Sequence, residues 1–185
     1  MRFYTALINK QPEVLVGFEQ GGTAYRLPLL ARLAPELAFS DMNALILGYN
    51  DKVKATLARL AANADTLQGA AVAVDEVQLL APIVRPLQDV VCLGINYDAH
   101  AQEAGRFSDE AFGGERPYTI YFSKRVNRAT ATGEKVPAYA GLVDSLDYEA
   151  ELGVVLGRDA KGVTKEEARD YVFGYTIIND ISARN

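Results

Sequence analysis

Asp147-Tyr148-Glu149-Ala150-Glu151-Leu152-Gly153-Val154-Val155-Leu156-Gly157 alternates polar and apolar residues with a period of two, the mark of a half-buried strand. Tyr148, Ala150, Leu152, Val154 and Leu156 share one face. Asp147, Glu149 and Glu151 share the other, with Cα atoms of next-but-one residues roughly 6.6 Å apart at strand rise. Carboxylates that close repel, so the face is solvated, or one group takes up a proton, or a cation lies between them. A hard divalent ion with oxygen ligands most readily explains two ionised carboxylates aimed at one point. Taken alone the segment reads as a wet surface face, because acidic residues are mostly exposed. Other stretches have to decide.

The 185 residues, 49% hydrophobic and 23% charged, suit a globular protein able to bury a core. A net charge of −5 argues against a general binder of nucleic acid or anionic membrane, which needs a basic face. Cys92 is the single cysteine, so no intrachain disulfide or cysteine zinc cluster can form, and a reducing cytoplasm is the expected setting. Its apolar neighbours suggest a buried, inert thiol. The start, Met1-Arg2-Phe3-Tyr4, has no signal-peptide character and no run of about 18 apolar residues occurs, so neither secretion nor membrane spanning is expected.

Along the chain, residues 3–8, 14–19 and 23–27 read as a small antiparallel meander, with Gly21-Gly22 as a hairpin turn. Ser40 is the expected cap of a short helix running to Leu47, and residues 51–63 place Val53, Leu57, Leu60 and Ala61 at helical spacing. A strand at Val77–Pro82 and the extended Arg85-Pro86 put a domain boundary near residue 81, giving a small domain over 1–80 and a second over 81–185. Val90–Ile95 is an apolar run of buried-strand type.

Beyond it stands His100, the only histidine, with Glu103 three residues on. A helical turn starting near Asp98 makes them neighbours, so the carboxylate can orient the imidazole, although such pairs on exposed helices are common. Residues 104–117, with Gly113-Gly114, Phe107 and Phe112, lack periodicity and suggest a lid. The strand 118–124 ends on Lys124, either a solvated lysine or an anion clamp. Thr164-Lys165-Glu166-Glu167 is a capping box expected to start a helix through Val172, stopped by Gly174. Residues 175–180 read as a second buried strand with Asp180 at its polar end.

Four ordered stretches resemble the fumarylacetoacetate hydrolase family: Leu93-Gly94-Ile95-Asn96-Tyr97 followed by His100-Ala101 and Glu103, Phe122-Ser123-Lys124, Asp147–Leu152, and Gly174-Tyr175 followed by Asn179-Asp180 and Ser182-Ala183-Arg184. The match spans residues 77–185, and the leading 80 residues resemble the small first domain of many members. The resemblance implies an α+β protein: a small N-terminal α/β domain followed by part of a β-rich mixed-sheet roll. It implies a magnesium site, with manganese or calcium as alternatives, built from Glu149, Glu151 and Asp180. His100 with Glu103 would be the catalytic dyad, and Lys124 and Arg184 would bind substrate. The activity implied is cleavage of a carbon-carbon bond in a β-diketo or acylpyruvate-type 2-oxo acid, by a homodimer. Isomerisation or decarboxylation of a 2-oxo acid shares the same enolate chemistry and stays open.

Family members commonly carry an acidic residue after Ser-Ala-Arg, where this chain has Asn185. They also continue with a further lysine and a Gly-Thr-Pro loop. The expectation is therefore a catalytic domain cut short, needing a partner or swapped protomer for activity. A non-catalytic fragment or dimerisation module is the rival from another class.

Overall fold

The computed structural model describes residues 1–19, 21–94 and 118–184, and they form an α+β structure. The chain divides into two compact units, Met1–Val84 with Thr130–Asn185, and Arg85–Ala129.

The first unit opens with an antiparallel sheet of β1 (Arg2–Ile8), β2 (Gln11–Gly17), β3 (Thr23–Arg26), β4 (Ala71–Ala73) and β5 (Gln78–Leu79), in spatial order β4-β3-β2-β1-β5. Asn9 and Lys10, with φ of 49° and 65°, form the two-residue turn of left-handed backbone that matches strand twist. That turn starts β2 at Gln11 rather than at 14. Pro12 is tolerated because β3 pairs with β2 only at Leu15 and Val16, so the missing donor there breaks no bond to β3.

Both sheet faces are covered. Val14, Val16 and Tyr25 turn toward the helices, while Ala6, Leu15 and Ala24 turn toward Val72, Val77 and Leu79. Helix α1 (Leu27–Leu30) is followed by α2 (Met42–Gly48) and α3 (Asp51–Ala61). The cap of α2 is Asp41, not the expected Ser40: its Oδ1 accepts from the Ala44 N–H at 2.9 Å. Asp41 is the residue directly before the first helical turn, where a carboxylate reaches the orphan donors. Asn50 caps α3 in the same way, accepting from the Val53 N–H at 3.1 Å. Val53, Thr56, Leu57 and Leu60 are the buried face of α3, and the Thr56 hydroxyl donates to Glu36 at 2.7 Å. Leu27, Leu30, Leu37, Leu45 and Leu57 have no exposed surface, and each such side chain contributes on the order of 2 kcal/mol of apolar burial.

The later part of this unit is a long antiparallel ladder. Its strands are β8 (Ser145–Asp147) and β9 (Ala150–Leu156) on one side, β10 (Val172–Asn179) and β11 (Ser182–Arg184) on the other. Both halves keep one register: Val155 faces Gly174 and Ala150 faces Asn179, then Asp147 faces Ser182 and Ser145 faces Arg184. A bulge between Val172 and Gly174 takes Phe173 out of that register. Phe173 packs instead against Phe3 (ring centroids 5.6 Å apart) and edge-on against Tyr49 (5.1 Å), and Val155 also meets this core.

Four expectations change here. The capping box does form, with the Thr164 hydroxyl donating to Glu167 at 2.8 Å and the Glu167 N–H donating back at 3.3 Å. Yet only a turn and a 3-10 segment, Ala168–Tyr171, follow it. Strand β10 already begins at Val172, with Gly174 inside it, because packing of Phe173 outweighs helix propensity. The strands expected to be buried alternate instead: Tyr175 and Ile177 are exposed, as are Val91 and Leu93. Cys92 is half-buried. On the deciding strand, Leu152, Val154 and Leu156 are 57%, 53% and 51% exposed, whereas the acid-bearing face is the partly shielded one. Val155 lies on that face and is the residue that seats it on the core.

The second unit holds an antiparallel pair, β6 (Val90–Gly94) with β7 (Ile120–Lys124), in which Val90 faces Lys124. Asp89 and Arg125 form an exposed ion pair at 3.4 Å, and Arg85 donates to the Asn127 carbonyl at 3.0 Å.

Candidate metal and substrate site

The site is one face of the ladder. Side chains two apart on a strand share a face, and residues directly opposite across an antiparallel pair do too. The register therefore sets Asp147, Glu149 and Glu151 from one strand line beside Asp180, Ser182 and Arg184 from the other. Asp180 comes opposite Glu149, and its N–H donates to the Glu149 carbonyl at 2.8 Å. Directly opposed side chains stand about 4.5–5.5 Å apart at Cβ, and the diagonal from Asp180 to Glu151 is about 7–8 Å.

Beyond the acids the face is closely packed, and glycine at position 153 leaves room for the side chains across from it. A Cβ on Gly153 would stand 2.9 Å from both Ile178 Cδ1 and Thr176 Cγ2. Ile178 stands directly opposite Glu151 and Val155 lies further along, so the acids occupy the end of the ladder away from the Phe173 bulge.

Arg184 balances part of the charge. Its Nη2 donates to Glu149 Oε1 at 2.7 Å and to Asp147 Oδ2 at 3.0 Å, with Nε also donating to Asp147 Oδ2 at 3.1 Å. The Arg184 side chain is 53% exposed, whereas that of Glu149 is 29% exposed. Among the described residues, no three His, Cys, Asp or Glu side chains gather closely enough to hold a metal. Three carboxylates on one face are nevertheless the donor set a hard divalent ion takes, and Oε1 of Glu149 is occupied by Arg184.

Of the residues singled out in the sequence, the structure brings Glu149, Glu151, Asp180 and Arg184 onto one surface. Lys124 ends β7 in the second unit. His100 and Glu103, with the lid residues Phe107 and Phe112, lie outside the described residues. What sequence reasoning missed was Asp147 as the partner of Arg184. The signal was present in the constant register of an acidic strand and a Ser-Ala-Arg strand, which only pairing makes visible.

Comparison with known proteins gives this face a setting. Residues 89–185, more than half of the chain, match the family model described as fumarylacetoacetate (FAA) hydrolase C-terminal. The oxaloacetate tautomerase YisK of Bacillus subtilis is 43% identical over 110 residues, which are 60% of this chain and 35% of that protein. A fumarylacetoacetate hydrolase structure from Exiguobacterium antarcticum superposes with a TM-score of 0.64 at 26% identity, covering 100% of this chain and 57% of that one. A maleylpyruvate hydrolase from Sphingobium sp. SYK-6, solved with manganese(II) and pyruvate, shares the fold with a TM-score of 0.63 at 21% identity, over 100% of this chain and 60% of that one. The match spans about a third of the length of the curated relatives and less than two thirds of these structures. Among the described residues, no helix is long and apolar enough to cross a membrane. With its acidic ladder, its Ser-Ala-Arg strand and more than half its length matched, the chain belongs to the fumarylacetoacetate hydrolase family.

Proposed function

We propose that this protein is a divalent-metal-dependent enzyme that acts on a 2-oxo acid by forming its enolate. The observation that carries the reading is Asp180 set opposite Glu149 with Glu151 on the same face. Magnesium or manganese would be held by those three carboxylates, and when bound would supply Lewis acidity that lowers the cost of negative charge on the substrate's keto oxygen. His100, oriented by Glu103, would move the proton, and Lys124 and Arg184 would bind the substrate's carboxylates.

Two outcomes share this start. If His100 takes the proton from the enol oxygen and delivers it to the adjacent carbon, or runs the same transfer in reverse, the reaction is keto-enol tautomerisation. The 43% identity to an oxaloacetate tautomerase favours this outcome. If His100 instead takes a proton from water and the resulting hydroxide attacks a distal carbonyl, a carbon-carbon bond breaks and the enolate leaves. This is the acylpyruvate hydrolysis implied by the motifs. The lone cysteine and the family resemblance support a cytoplasmic homodimer.

The test offers the protein, with magnesium, the enol form of oxaloacetate and separately an acylpyruvate in ¹⁸O-labelled water. Tautomerisation appears as loss of enol absorbance without cleavage, whereas hydrolysis places ¹⁸O in the released acid. Both rates are expected to fall at least about a hundredfold in His100→Ala. Equal rates in wild type and variant would overturn the reading.

A further inference from the structure

We propose that Arg184 is an internal counter-cation for the acidic face, so that the guanidinium and a divalent ion compete for Glu149. The inference rests on the metal reading above and concerns one contact within it. Arg184 Nη2 lies 2.7 Å from Glu149 Oε1, a separation typical of a charge-assisted hydrogen bond. Glu149 is the central acid of the face, with Asp147 and Glu151 on either side of it and Asp180 opposite. An ion drawing on Glu149, Glu151 and Asp180 needs the carboxylate turned toward Asp180. In the structure its Oε1 is instead held by Arg184.

A divalent ion at Glu149 and a guanidinium on the same carboxylate repel at close range, so one weakens the other. Arg184 does not have to leave the face when it releases Glu149. Asp147 holds it through both Nε and Nη2, at 3.1 and 3.0 Å. The exchange therefore frees guanidinium N–H groups next to the ion. Those donors form a planar fork suited to a carboxylate of the substrate. The arrangement assigns an order: ion first, which turns Arg184 toward an anionic ligand, then the ligand.

The experiment measures manganese(II) binding to the full chain from the free-ion electron paramagnetic resonance signal, in wild type, Arg184→Met and Arg184→Lys. Competition predicts about fivefold tighter binding in Arg184→Met, the scale set by an exposed ion pair. Arg184→Lys keeps the charge but loses the two-pronged hold, and is expected to fall between the two. If Arg184→Met fails to fold, as judged by circular dichroism, Arg184→Lys still has to bind more tightly than wild type. Unchanged or weaker binding in the folded variants, with wild type binding normally, would overturn the competition and leave the metal reading standing. If wild type and variants all fail to bind manganese, the metal reading falls and the competition falls with it.

Discussion

The leading sheet and the acidic ladder are both antiparallel, yet the first buries apolar residues on both faces and the second leaves its apolar face exposed. In the first, Leu15, Ala6 and Ala24 on one side and Val14, Val16 and Tyr25 on the other are all buried. In the second, Leu152, Val154, Tyr175 and Ile177 are exposed, and the face carrying the acids is anchored to the core through Val155 and Phe173. Alternation reveals that a strand has two unlike faces. It does not reveal which face finds a neighbour, because that depends on what packs against it.

The largest expected effect separates the two regions directly. Leu57→Ala removes a side chain with no exposed surface and should cost about 3 kcal/mol, measured by denaturant unfolding. Leu152→Ala, at a position 57% exposed, should cost about 0.5 kcal/mol or less. Equal costs would break the contrast and mean that the exposed face of the ladder is covered in solution.

Next is the joint between the regions. Phe173→Ala should cost about 2 kcal/mol by removing a half-buried ring from contact with Phe3 and Tyr49. A double-mutant cycle with Phe3→Ala should show coupling of about 1 kcal/mol. Additive effects would mean that the ladder does not depend on the leading sheet through these rings.

A smaller effect is expected inside the leading sheet. Arg26 meets Glu13 through two parallel hydrogen bonds of 2.9 and 2.7 Å, and this pairing raises the guanidinium pKa. Arg26→Met should cost about 1 kcal/mol, and the cost should shrink in high salt. A cost independent of salt would assign the loss to packing of the side-chain stem.

The smallest effect is local to the loop before β10. The hydroxyl and then the backbone N–H of Thr164 hold the Glu167 carboxyl below its ordinary pKa. A depressed folded value means that any stabilisation is present above the unfolded pKa and disappears as pH falls through the folded one. Thr164→Ala should therefore move the Glu167 titration upward in an NMR pH series. An unmoved titration would mean that the capping contact is absent in solution.

Much of the site could be read in the sequence because strand periodicity alone sets Asp147, Glu149 and Glu151 on one face, and Asp180 stands at the polar end of the next apolar strand. The helix expected after Thr164 does not form for a tertiary reason: the capping box is real, but the contacts of Phe173 draw Val172 into a strand. Ser40 and Asp41 are both good capping residues, and which of them caps is decided only by where the first turn starts, at Met42. The grip of Arg184 on Asp147 and Glu149 depends on the register of strands more than 30 residues apart in sequence, which periodicity does not encode.

Titration of the protein with manganese(II), in wild type and in Asp180→Asn, tests the central claim most directly. If the two strand lines supply one ion site, wild type binds saturably and the variant loses about tenfold or more in affinity, since removing a donor disrupts the site at least as much as removing an outer partner. Equal affinity in the two proteins would contradict the account, because Asp180 would then have no part in holding the ion.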